Sequence, residues 1–144
     1  MQVFIIGTPF YTAVSLDKKR LHKQIVECNQ ILDALNGRTN AWKNHPCVLQ
    51  YKEHQEWLKC YALCLTHFKN GDTGFARLVS DQAKAVKPEF HTLGYFLQMK
   101  RRLYTKDPVF YRRWDYLGES EVNWYFVNGA WRYYKNGKQV KDKQ

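Results

Sequence analysis

The chain has 144 residues, enough for one domain with a substantial core and short for two. Lys and Arg number 23 against 13 Asp and Glu, so the formal net charge is +10 at pH 7 and polyanionic partners such as nucleic acid or an anionic membrane surface are favoured. Phe, Trp and Tyr make up 16% of the residues, more than such a core needs, which points some of them to a surface that stacks on bases or fills an interface.

Met1 to Ile6 has the composition of a short strand or extended arm, ended by Gly7 and Pro9. The stretch Ser15 to Leu35 then reads as one long amphipathic helix. Leu21, Ile25, Cys28, Leu32 and Leu35 recur at steps of three and four, with Ser15 as N-cap, Asp17 in the first turn and Asn36-Gly37 as the stop. A polar line, Arg20, Lys23, Gln24, Glu27 and Gln30, stacks on another side and holds one carboxylate among bases and amides. By spacing alone, Glu27 with Lys23 four residues earlier is an ordinary surface ion pair.

Arg38 to Lys43 is a basic loop carrying Trp42. A second helix is expected from Pro46 to Lys69, with Pro46 at its first position and Val48, Tyr51, Leu58, Tyr61, Ala62, Leu65 and Phe68 as its apolar stripe. A shorter helix follows over Phe75 to Val86, with Phe75, Leu78, Val79 and Ala83 inward. Another covers Thr92 to Tyr104, with Leu93, Phe96, Leu97 and Leu103 apolar and Lys100-Arg101-Arg102 as a basic cluster. Pro108 opens a short helical segment in which Phe110, Tyr111, Arg112, Arg113 and Trp114 mix aromatic and basic side chains. The period then changes: VNWYFVNGAWRYYKNGKQV predicts a β-hairpin turning at Asn128-Gly129, with Asn136-Gly137 positioned to add a third strand and a frayed KDKQ tail. The fold expected is mainly α, a compact single domain over 1–144, with a helical body at 1–117 and a hairpin extension and tail at 118–144.

Cys28, Cys47, Cys60 and Cys64 form no CxxC pair, so buried reduced thiols of a cytoplasmic protein are expected; Cys60, Cys64 and His67 lack a fourth ligand for a metal. HExxH, Walker and dinucleotide-binding patterns are absent, which argues against zinc-peptidase, NTPase and nicotinamide chemistry. No apolar run reaches the roughly eighteen residues of a membrane span, and QVFIIGTPF lacks the basic start of a secretory signal, so no membrane partner is expected. The basic clusters at Lys18 to Lys23, Lys100 to Arg102 and Arg112-Arg113, interleaved with Trp42, Tyr104, Phe110, Tyr111 and Trp114, suit phosphate neutralisation and stacking on or between bases. His45, directly before a helix start, is by default a cap.

The segments LDKKRLHKQIVECNQILDAL, NAWKNHPCVLQYKEHQEWLKCYALCL and KDPVFYRRW, covering roughly residues 1–117 in order, resemble the main blocks of the pyrimidine-dimer DNA glycosylase family. LDxKRxxKQxxE and NHPxV are the more specific motifs and point to its bacterial and phage branch. The resemblance implies a helical protein that kinks duplex DNA and flips a nucleotide from the stack. It also implies an N-terminal α-amine that attacks the anomeric carbon of the sugar, because an α-amine is partly unprotonated near neutral pH. Glu27 takes the place of the glutamate that assists base release and strand scission. Gln2 is too large for efficient removal of the initiator residue, so the implied nucleophile is the amine of Met1 itself. Arg20, Lys23, Gln30, Trp42, His45, Lys100, Arg101, Arg102, Tyr111, Arg112, Arg113 and Trp114 are the expected double-stranded DNA contacts, with neither cofactor nor metal. Val26 and Gln30 replace family arginines. A DNA-binding protein of the same fold without chemistry, and a glycosidase-like enzyme acting on a free nucleotide, are the alternative readings.

Overall fold

The computed structural model describes residues 1–118, 122–127, 129–135 and 138–140. Its helices are α1 (Pro9–Ser15), α2 (Lys18–Leu35), α3 (Pro46–Gln50), α4 (Gln55–Lys69), α5 (Thr73–Ala83) and α6 (Leu93–Lys106), with 3-10 turns at Lys84–Val86 and Arg112–Leu117. Strands β1 (Val122–Val127), β2 (Ala130–Lys135) and β3 (Lys138–Val140) follow. The architecture is mainly α with a C-terminal antiparallel hairpin, as expected.

Residues 1–6 form no strand. They run as an extended arm whose Val3, Phe4, Ile5 and Ile6 are buried in one cluster with Leu58, Tyr61 and Leu65 of α4 and Cys28 and Ile31 of α2. A buried arm without a neighbouring strand needs other partners for its backbone polar groups, and side chains of α2 and α4 supply them. Gln24 of α2 accepts the Phe4 N–H and donates to the Gln2 carbonyl at 2.7 Å, while the Tyr61 hydroxyl donates to the Phe4 carbonyl at 2.6 Å.

Several helix bounds differ from the pattern. The expected N-cap, Ser15, ends the separate helix α1, which Thr8 caps and Pro9 opens. Asp17 caps α2 instead, accepting the Arg20 N–H. The segment 46–69 is two helices, because residues 51–54 turn and bury Tyr51 in a stack on Trp57 at 5.7 Å between ring centroids. In α5 the buried side is Ala76, Val79, Ser80 and Ala83; Phe75 and Leu78 face outward, Leu78 with 61% of its surface exposed. Leu93 is likewise 71% exposed, and Tyr95, Gln98, Met99 and Leu103 form the inner face of α6.

Both stop signals act as predicted. Gly37 (φ 72°) and Gly71 (φ 86°) adopt left-handed backbone after Asn36 and Asn70. The Arg38 N–H then reaches Asp33 O and the Asp72 N–H reaches His67 O, each at 2.9 Å, closing the helix ends.

The strands form a β1-β2-β3 meander with Phe126 opposite Trp131 and Tyr133 opposite Val140. Gly129 has the positive φ a tight turn requires; Asn128, Asn136-Gly137 and the 141–144 tail lie outside the described residues. Gln98 of α6 ties the sheet to the helical body, accepting the Trp124 N–H at 2.8 Å and donating to the Trp124 carbonyl at 2.9 Å. No helix among the described residues is long and apolar enough to cross a membrane.

Candidate active site

The spacing of α2 brings Arg20, Lys23, Gln24 and Glu27 to one side of the helix, and the pinned arm lies across that side. Between them opens a cleft of about 200 Å³ lined by Met1, Gln2, Phe4, Lys19, Arg20, Lys23, Gln24, Glu27 and Lys106. Four basic side chains and Met1 thus share this cleft with a single carboxylate.

Glu27 is not the routine surface ion pair that its spacing from Lys23 suggests. It is only 9% exposed, and its Oε2 accepts the backbone N–H of Gln2 at 3.0 Å. Lys23, largely in solvent, approaches Oε1 only to 3.9 Å. The carboxylate is therefore fixed by the arm that carries Met1, and the exposed ammonium of Lys23, only loosely paired with it, can also meet an anion in the cleft.

Arg20 is held by Asp17 at 3.2 Å and by Asp107 at 3.9 Å. The Asp17 carboxylate also accepts the Tyr111 hydroxyl proton, and the Tyr111 oxygen accepts the Asp17 N–H at 3.0 Å. Burial works to raise the Asp17 pKa, but the bonds from Tyr111 and Arg20 outweigh it and hold the carboxyl below its ordinary range. One aspartate thereby caps α2, orients Arg20 and anchors the 3-10 turn.

His45 caps α3, its Nδ1 accepting the Cys47 N–H at 3.1 Å. Burial lowers its pKa, the Met1 ammonium lowers it further and Glu27 opposes both. An imidazole accepting at Nδ1 is neutral and carries its proton on Nε2. His45 lies on a second cleft that shares Met1 and Gln2 with the first.

The other expected contacts disperse. Gln30, half-buried on α2, does not line the Glu27 cleft. Lys100 lies over the rings of Tyr11 (5.5 Å) and Trp114 (5.6 Å), Arg101 donates to the Leu117 carbonyl at 3.4 Å, and Arg102 faces the sheet over Tyr125 at 4.9 Å. Successive residues of a helix point about 100° apart, so this sequence cluster is no spatial cluster. Tyr111 and Trp114 are corrections: both are buried, stacked on one another at 5.2 Å, and offer no face to a base. Arg112 is exposed, while Arg113 covers Trp114 at 4.4 Å and donates to the Ser15 carbonyl at 2.9 Å. Phe110 remains exposed in that segment. Trp42 is 48% exposed at the tip of the 37–45 loop, in left-handed backbone (φ 67°) and edge-on to His45.

Lys19 and Lys106 line the cleft but were not singled out from sequence. Lys19 lay within the Lys18–Lys23 cluster, whereas nothing local in α6 marks Lys106, which reaches the cleft through tertiary packing over the Phe4 ring. Among the described residues no group of His, Cys, Asp and Glu could hold a metal. Cys28, Cys47 and Cys64 are buried free thiols, and burial pushes those of Cys47 and Cys64 up to about 12, leaving them without nucleophilic character.

A cationic cleft that holds a buried carboxylate and is lined by the chain's first residue suits a phosphate-bearing substrate with an electrophilic carbon. Residues 1–67, which contain the arm, α2 and the NHP turn, match the family model of the pyrimidine dimer DNA glycosylases. That match bears out the resemblance over this stretch. No curated protein and no solved structure gives a significant match to the chain.

Proposed function

We propose that the protein is a DNA glycosylase that excises a damaged or modified pyrimidine flipped from duplex DNA in the cytoplasm and has abasic-site lyase activity. The observation that carries this reading is that Met1 and Glu27 line the same cationic cleft, with Glu27 bonded to the residue next to that amine. The Met1 amine attacks C1′ of the flipped nucleotide. The C1′–N bond breaks, and its electron pair leaves with the base, which then takes up a proton. Glu27, as the carboxylate, stabilises the positive charge developing on the sugar, takes a proton from the newly attached amine and delivers it to the ring oxygen as the C1′–O bond breaks and the sugar opens to a Schiff base. In the lyase step Glu27 accepts a proton from C2′, the 3′ phosphate departs, and water releases the amine. Arg20, Lys23, Lys19 and Lys106 are the phosphate contacts around the cleft, and Trp42 with Phe110 supplies the aromatic ones.

Borohydride trapping on duplexes carrying an abasic site or a pyrimidine dimer tests this assignment. A covalent adduct is expected that disappears when the N-terminus is acetylated. If wild type and Glu27→Gln are equally inert across a panel of damaged bases while DNA binding persists, the protein only binds DNA. Turnover of free nucleotides without turnover of duplex would instead identify a nucleotide glycosidase.

A further inference from the structure

The C-terminal sheet lies outside the matched residues 1–67, yet it walls a second cleft that meets the first at Met1 and Gln2. This cleft is about 160 Å³, and its walls include Tyr95, Arg102, Trp124, Tyr125 and Trp131. The paired bonds between Gln98 and the Trp124 backbone fix the sheet there, and Trp131 meets Tyr95 edge-on at 5.7 Å. Arg102 Nη2 is shielded from solvent and has no hydrogen-bond partner among the described residues. The guanidinium lies over the Tyr125 ring at 4.9 Å, and a shielded donor without an acceptor is unfavourable, so an acceptor is expected to complete it.

The walls call for a flat ring and the guanidinium for an oxygen at that ring's edge. The space is close to the cavity of about 150 Å³ that admits benzene, which is room for one six-membered ring. Resting on the glycosylase reading above, we propose that this cleft receives the unstacked base, a single-ring pyrimidine with ring carbonyls, and that Arg102 donates to a carbonyl oxygen of that base. The position fits the chemistry. When the C1′–N bond breaks, the electron pair retained by the base delocalises onto its carbonyl oxygens, and Arg102 meets that charge while the sugar stays with Met1 and Glu27.

Two measurements on the full-length protein separate this proposal from the reading beneath it. The first compares single-turnover excision of a damaged pyrimidine with borohydride trapping on a preformed abasic site, which has no base to hold. Arg102→Met and Trp124→Leu are expected to slow excision by about tenfold or more, the size of one lost charged contact, and to leave abasic trapping unchanged. An equal loss in both assays, or none in either, overturns the base-binding role. The second needs no catalysis: uracil added to the wild type is expected to shift the indole N–H signals of Trp124 and Trp131 in NMR spectra. Arg102→Met should abolish that shift, and adenine, bicyclic and without a ring carbonyl, should fail to produce it. If uracil leaves the signals unmoved, or moves them equally in Arg102→Met, the proposal fails; if uracil binds but neither excision nor an adduct is ever seen, the glycosylase reading fails and the base site stands.

Discussion

The side-chain amide of Gln24 stands beside Phe4 where a neighbouring strand would stand, accepting the Phe4 N–H while donating to the Gln2 carbonyl. Gln24 is buried, and so is the Tyr61 hydroxyl that shares its oxygen at 3.2 Å. Gln24→Leu keeps the volume but orphans a buried N–H, so a stability loss of about 1–3 kcal/mol is expected in urea unfolding. A loss below about 0.5 kcal/mol, typical of surface substitutions, would mean that the arm is held by packing alone.

Glu27→Gln separates chemistry from architecture. The glutamine oxygen can still accept the Gln2 N–H, so the melting temperature should stay near wild type. Excision should fall by about 10²–10⁴-fold, as when a positioned acid–base group is removed. A variant that keeps full turnover would assign the carboxylate a purely structural role.

The cationic rim predicts a salt signature. Each of Lys19, Lys23 and Lys106 that contacts a phosphate contributes about −0.9 to the slope of log K against log salt concentration. Lys23→Gln and Lys106→Gln are each expected to flatten that slope by about one in fluorescence-anisotropy titrations with duplex DNA, without altering lesion preference. Lys84→Gln, on an exposed residue paired with Asp81, is the control that should leave the slope alone.

Trp42 holds positive φ, which costs an L-residue roughly 1–2 kcal/mol relative to ordinary backbone. Trp42→Gly relieves that strain and adds chain entropy of about 0.5–1 kcal/mol to the unfolded state, so stability should change little. DNA affinity should nevertheless drop by about tenfold, since an aromatic wedge or stacking partner is worth about 1–3 kcal/mol. Unchanged affinity in an anisotropy titration would remove Trp42 from the interface.

Acid sensitivity has an identifiable source in the core. His91 is buried and bonded to the Tyr51 hydroxyl at 2.8 Å; burial above all, then Lys87 and His54, hold its pKa down at about 3. The unfolded chain protonates this histidine near 6.5 and the folded one does not. The stability is therefore complete above about pH 6.5 and is lost as pH falls toward 3, by up to about 1.4 kcal/mol per unit. Asp17, whose folded pKa is depressed, adds loss in the same direction at more acidic pH. The double variant Tyr51→Phe, His91→Phe should flatten the urea midpoint between pH 6 and pH 4; a slope equal to wild type would locate the acid sensitivity elsewhere.

How far the sequence carried this picture depended on how local each signal was. The Asn-Gly stops at 36–37 and 70–71 and the cap at His45 are short-range chemistry and were legible. The Thr8-Pro9 start of α1 is equally local, but Gly7 and Pro9 read as the end of the arm as readily as the start of a helix. The break at 51–54 left a trace as well, since residues 52–56 carry no apolar side chain, but the longer stripe hid it. Glu27 was found on its helical line, whereas its burial was not, because the arm that covers it is remote in sequence. Tyr111 and Trp114 misled for a related reason: aromatic-basic alternation reads alike on a DNA surface and in a seam where arginines cover buried rings.

The pinned arm has a consequence for the order of assembly. Its bonds run from residues 2 and 4 to residues 24, 27 and 61, so the arm, made before all three, finds its last partner only when α4 has emerged. Contacts of such long sequence separation form late, after local helices have collapsed. A nascent or truncated chain ending before Tyr61 would carry the arm without its complete set of partners. Vectorial synthesis thus leaves the arm without its full set of partners until α4 exists.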